Sequence, residues 1–106
     1  MANLSSINVQ NCDNELYIVA SQWAGSSELL HLKSGCNKPV ATTIFPGAIV
    51  PAGTYDIVFI GLDWGGAAAF SGVLSFDDQT QQPFTLAQAA GPVYTLDIGQ
   101  QTIVAP

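Results

Sequence analysis

One histidine, two cysteines and eight carboxylates are the residues from which this chain could build a reactive centre. His31 lies between Leu30 and Leu32 in an apolar run, where alternation along a strand places it on one face. A thiolate nucleophile needs an adjacent base, and nothing in the spacing ties His31 to Cys12 or Cys36. A hydrogen-bonded structural histidine is the expectation. The same three side chains offer at most three zinc ligands, without the closely spaced pairs that zinc sites use. Asp77-Asp78 opens a polar loop that continues through Gln82. Adjacent aspartates on an extended chain point apart and make a poor acid–base pair. A loose calcium site there competes with an ordinary solvated hairpin loop, and so short a ligand set favours the loop. Asp56 and Asp63 are better placed to support a binding surface. No catalytic residue, metal or cofactor is expected, and an enzyme is the least favoured class.

The two tryptophans are the more suggestive residues. Ile18-Val19-Ala20-Ser21-Gln22-Trp23-Ala24-Gly25 aligns with Phe59-Ile60-Gly61-Leu62-Asp63-Trp64-Gly65-Gly66, each an apolar strand, a polar residue and then Trp-x-Gly. The pattern suggests two similar hairpins related by an approximate two-fold axis; a chance match is the rival explanation. Each corner puts a large ring at a strand end beside glycine. Gln22, Ser26, Ser27 and Glu28 flank Trp23, and Asp63 flanks Trp64. A ring beside amides and carboxylates offers a sugar an apolar face to stack on and partners for its hydroxyls. A ring at a loop tip also suits a lipid–water boundary. Against both stands the average tendency of Trp to be buried, here pinning strand ends in the core. The candidate ligand-binding set is Trp23, Trp64, Gln22, Glu28 and Asp63.

The elements that must position these residues read as strands almost throughout. Ile7 to Val9, Leu16 to Ala20, Leu29 to Leu32, Ala41 to Phe45, Thr54 to Leu62, Phe70 to Phe76, Tyr94 to Ile98 and Gln101 to Val104 carry period-two or β-branched signals. Pro39, Pro46-Gly47, Pro51-Ala52-Gly53, Gly65-Gly66, Gly91-Pro92 and Gly99 fall between them as turns. The one plausible helix follows Pro83 and stops at Gly91, although Phe84 to Leu86 would also serve as a short strand. An antiparallel β-sandwich of seven or eight strands is expected, with a small jelly roll or barrel as the alternative. The run Ile57 to Leu62 is expected to be buried on both faces.

Composition narrows the functional classes. The 106 residues hold eight Asp and Glu against two cations, Lys33 and Lys38, for a formal net charge of −6, and 48% are hydrophobic. So few cations cannot follow a phosphate backbone, which argues against nucleic-acid binding. The apolar content and low charge argue against disorder. The length suits a single domain spanning residues 1–106. No apolar run reaches the length of a membrane span, and the N-terminal residues lack a secretory pattern. A cytoplasmic protein, or one released by a route its N-terminus does not encode, is expected. Cys12 and Cys36 are then two reduced thiols by default, with a disulfide as the alternative. Asn3-Leu4-Ser5 matches a glycosylation acceptor by chance on this reading.

The segment Ile7-x-Val9-x-Asn11, the Leu16–Val19 strand, Trp23-x-Gly25 and the Leu29–Leu32 strand resemble the N-terminal half of small aegerolysin- or actinoporin-like β-sandwich proteins. The resemblance covers about the first third of the chain. It implies membrane-lipid or glycan recognition, often coupled to toxin action, and carries over Trp23 alone. The chain departs from that pattern in being shorter and almost devoid of Lys and Arg, which disfavours attachment to anionic lipid.

The leading expectation is a non-catalytic, lectin- or cytolysin-like protein that recognises a neutral glycan or lipid head group. A self-assembling subunit of a particle or surface layer is the rival, and an acidic inhibitor or immunity protein the third possibility. Self-association as a symmetric dimer is expected, because so few charges leave apolar surface to cover.

Overall fold

The computed structural model describes residues 2–34, 38–64 and 69–105, leaving out the side chain of Lys38. Nine strands are formed among them: β1 (Leu4–Cys12), β2 (Glu15–Gln22), β3 (Gly25–Lys33), β4 (Lys38–Ile44), β5 (Gly53–Leu62), β6 (Ser71–Phe76), β7 (Gln81–Thr85), β8 (Ala87–Ala90) and β9 (Val93–Ile103). A 3-10 turn, Pro46–Ala48, lies between β4 and β5. The strands make two antiparallel sheets, ordered β4-β1-β6-β7 and β3-β2-β5-β9-β8, packed as a sandwich without barrel closure.

The period-two pattern sets which side chains face inward. Ile7, Val9 and Cys12 of β1, with Leu74 of β6, bury against Leu16, Ile18, Ile57 and Phe59 of β2 and β5. Two glycines let aromatic rings into this core. A Cβ on Gly61 would stand 2.8 Å from the Phe70 ring, and one on Gly72 would stand 2.0 Å from the Asn8 carbonyl oxygen and 2.8 Å from the Phe84 ring. The Phe84 ring in turn packs on Phe59 with centroids 4.7 Å apart.

Several expectations need correction. The stretch after Pro83 is not a helix; it forms β7 and β8, one in each sheet, joined through buried Leu86. Its Ala-rich helical propensity yields to two free sheet edges that it can cover. Gly99 is not a turn between strands. It sits at a bulge inside β9, where the ladder steps from Asp56↔Gln100 to Val58↔Asp97, with φ +74° and its N–H held by Asp97 Oδ1 at 2.8 Å. The β5 run is buried on one face only: Ile57 and Phe59 lie in the core, whereas Val58, Ile60 and Leu62 are half-buried on the outside of the five-stranded sheet.

The repeat is a matter of strands rather than hairpins. Ile18 pairs directly with Phe59, so an axis between β2 and β5 relates the two copies. After Trp23 the chain returns as β3 in the same sheet, whereas after Trp64 it passes to β6 in the other. Cys12 is fully buried in β1; Cys36 lies outside the described residues, as do Gly65 and Gly66.

Candidate functional site

The outer face of the five-stranded sheet carries a polar row at one end. Ser26 of β3 pairs with Ser21 of β2, Ser21 with Asp56 of β5, and Asp56 with Gln100 of β9. Neighbouring strands stand about 4.8 Å apart, so the row places four hydrogen-bonding side chains at regular steps. Two residues towards the strand ends, on the same face, Thr54 and Thr102 stand opposite each other with hydroxyls 3.4 Å apart. The Gln22 amide is anchored beside them, donating from Nε2 to the Thr54 carbonyl at 3.1 Å.

Trp23 stands over this row. Gln22 pairs with Gly25, so Trp23 and Ala24 form a two-residue hairpin tip with no layer of structure around it. Its side chain is fully exposed, at 101%. Ser21, Gln22, Trp23, Thr54, Asp56 and Gln100 enclose an open groove of about 730 Å³. Asp56 is the one charged group in its lining.

Of the residues expected from sequence, the groove unites Trp23 and Gln22 and omits the others. Glu28 sits on the same sheet face one row further along, opposite Val19, where its charge helps to raise the Tyr17 hydroxyl above its ordinary pKa. Trp64 is also exposed, at 68%, but at the far end of β5, its N–H donating to Asn14 Oδ1 at 2.8 Å. Asp63 is buried beside it, and its N–H donates to the Pro92 carbonyl at 2.9 Å. Antiparallel pairing explains the separation: residues equivalent by the repeat leave opposite ends of the β2–β5 pair, ten residues or about 33 Å apart along the strands.

Sequence reasoning weighed Asp56 but missed Ser21, Thr54 and Gln100. The outward parity of Thr54 and Asp56 was available from alternation. That of Gln100 was not, because the Gly99 bulge shifts its face.

The remaining reactive groups are occupied in structure. His31 Nε2 lies 3.1 Å from Glu15 Oε1, and its ring stacks on Tyr17 with centroids 4.1 Å apart. Lys33 Nζ approaches the same Glu15 oxygen at 3.8 Å. Burial, then the charges of Glu15 and Glu28, raise the Tyr17 hydroxyl. Cys12 is in the core and His31 on the outer face of the opposite sheet, so the two do not form a thiol–imidazole pair. Burial, helped by the Asp13 carboxylate, pushes the Cys12 thiol up to about 11, which leaves it protonated at neutral pH. At the β6–β7 turn the Asp77 carboxylate accepts from the Asn3 backbone N–H at 3.0 Å and from Asn3 Nδ2 at 2.7 Å. Asp78 Oδ1 accepts from the Thr80 hydroxyl at 2.5 Å and the Thr80 N–H at 3.0 Å, which hold its carboxyl below the usual range. Among the described residues no three His, Cys, Asp or Glu side chains converge on a metal position.

The end of the sandwich that bears Trp23 also exposes Phe45, Ile49 and Val104. Phe45 follows β4, Ile49 follows the 3-10 turn, and Val104 follows β9. Both lysines belong to the opposite end, with Lys33 paired to Glu15 and the Lys38 backbone to Cys12. Comparison with family models, curated proteins and solved structures finds no match for the chain.

Proposed function

We propose that this is a non-catalytic binding protein that recognises a neutral glycan in the Trp23 groove. The observation that carries the reading is a fully exposed tryptophan at the lip of a groove lined by hydroxyls, amides and one carboxylate. Trp23 stacks on the apolar face of a sugar ring, while Asp56 accepts from hydroxyls and Gln22 and Gln100 both donate and accept. The groove has no cation for a phosphate or carboxylate on the ligand, which favours an uncharged sugar. Glycoside hydrolysis uses a pair of carboxylates about the scissile bond, and Asp56 has no second carboxylate in the groove lining. Binding without turnover is therefore the reading.

A second reading has its own observation. Trp23, Phe45, Ile49 and Val104 are four of the five large apolar side chains exposed among the described residues, and all lie at one end. Such an end also suits the interface of an uncharged or zwitterionic bilayer.

A titration separates the two. The Trp64→Phe protein, whose fluorescence reports Trp23 alone, is mixed with neutral oligosaccharides and with zwitterionic vesicles. A saturable change with an oligosaccharide supports the glycan reading. A blue shift with vesicles and none with sugars transfers the site to the lipid reading. No response to either refutes both.

A further inference from the structure

A second cavity, away from the Trp23 groove, lies on the other side of the same end. It holds about 200 Å³ and is walled by Leu4, Phe45, Gly47, Val104 and Ala105. Leu4 is its buried floor, while Phe45 and Val104 each leave about half of their surface uncovered. A cavity of about 150 Å³ with apolar walls is known to accept a single benzene-sized ring. This one therefore has room for one aromatic ring and a short substituent. Its rim is polar on one side only, where Asn3, Ser5 and Asp77 stand.

The rim sets the charge of the occupant. Asp77 is tethered by two hydrogen bonds from Asn3, which fix the carboxylate at the cavity mouth without neutralising it. Asp78 follows it in the same turn. Neither lysine is near: Lys33 and the Lys38 backbone are at the opposite end of the strands. A cation is thus attracted to the mouth, and the exposed Phe45 ring adds to that attraction.

We infer that this cavity is a binding site for a small aralkyl amine, with the aromatic ring between Leu4, Phe45 and Val104 and the ammonium on Asp77. The ring gains by covering the open halves of Phe45 and Val104. The ammonium makes a charge-assisted hydrogen bond to a carboxylate already held in place. The site is independent of glycan recognition, since none of its lining residues lines the Trp23 groove.

The test is amide and methyl NMR of the full chain titrated with benzylamine, benzyl alcohol and n-butylamine. Benzylamine is expected to bind with a dissociation constant of about a millimolar or tighter, as its size allows. It should shift Leu4, Phe45 and Val104 and leave Gln22 and Gln100 unmoved. Benzyl alcohol should bind about tenfold more weakly for want of the charge-assisted contact, and n-butylamine should not perturb the wall residues. Val104→Trp, at an exposed position after the last strand, should fill the cavity and abolish binding. Asp77→Asn, which keeps the side chain's size, should remove the preference for the amine over the alcohol. Unshifted wall residues with benzylamine, equal binding of amine and alcohol, or full binding by folded Val104→Trp would each overturn the assignment.

Discussion

Replacing Trp23 by alanine isolates the contact on which the glycan reading rests. The side chain is fully exposed at the tip of a two-residue turn, so its removal takes nothing from the core. Stability should stay within about 0.5 kcal/mol, as for other surface changes. Binding should not stay. A sugar stacked on one ring face covers about 100 Å² of a side chain that buries about 150–250 Å² when fully enclosed. At about 25 cal/mol per Å² that is roughly 2.5 kcal/mol, or about a 60-fold rise in Kd. The assay is calorimetric or fluorescence titration of the best neutral oligosaccharide, run on Trp23→Ala and Trp64→Ala side by side. Trp64 is also exposed and about 33 Å away along the strands, so Trp64→Ala should bind as the parent does. The reasoning is refuted if Trp23→Ala retains affinity within about threefold while remaining folded, or if both variants lose affinity equally; a threefold change is only about 0.7 kcal/mol.

Two further outcomes follow from the packing. Gly72→Ala drives a Cβ to 2.0 Å from the Asn8 carbonyl oxygen and 2.8 Å from the Phe84 ring, so the β1–β6 ladder or the Phe84 ring must move. A loss of roughly 3 kcal/mol is expected, seen as a Tm drop of about 12 °C or more in a thermal melt; a drop of only a few degrees would contradict the packing. Cys12 has its thiol pKa raised from 9.0 to about 11 by burial and Asp13, so the native state holds that proton more tightly than the unfolded chain. Its contribution to stability is complete below pH 9.0 and is lost as pH rises through about 11. In a Cys36→Ser variant, denaturant midpoints should fall across that window, and alkylation of Cys12 at neutral pH should wait on unfolding; rapid alkylation of the native protein would show the thiol to be accessible.

Much of the architecture was legible because a strand records its two faces in successive residues. Ile7 and Val9, Ile57 and Phe59, and the Thr54–Asp56 alternation each announced an inward and an outward side, and the sandwich follows from having two such apolar faces to bury. Gly91-Pro92 was legible as a turn for an equally local reason, since Gly91 takes φ +54° between β8 and β9. Reading failed where the local pattern was ambiguous. Ala87 to Ala90 carries helix-forming residues but no helix-length apolar face, and its pairing with β9 settled it. Gly99 looked like a strand break because a bulge and a turn use the same positive φ.

The residue types alone determined the charge balance, eight carboxylates against two lysines. With two lysines and no arginine in the chain, the residue types weigh against a phosphate-binding surface built from cationic side chains. They also determined that a large ring would stand at each of two strand ends, because Trp23 and Trp64 follow matching apolar runs. Only the tertiary structure decided that these rings serve different surfaces. Strand pairing is non-local: whether β2 and β5 are parallel or antiparallel is not encoded within either strand. Antiparallel pairing sends the two tryptophans to opposite ends and brings Asp56 and Gln100, distant in sequence, to the side of Trp23.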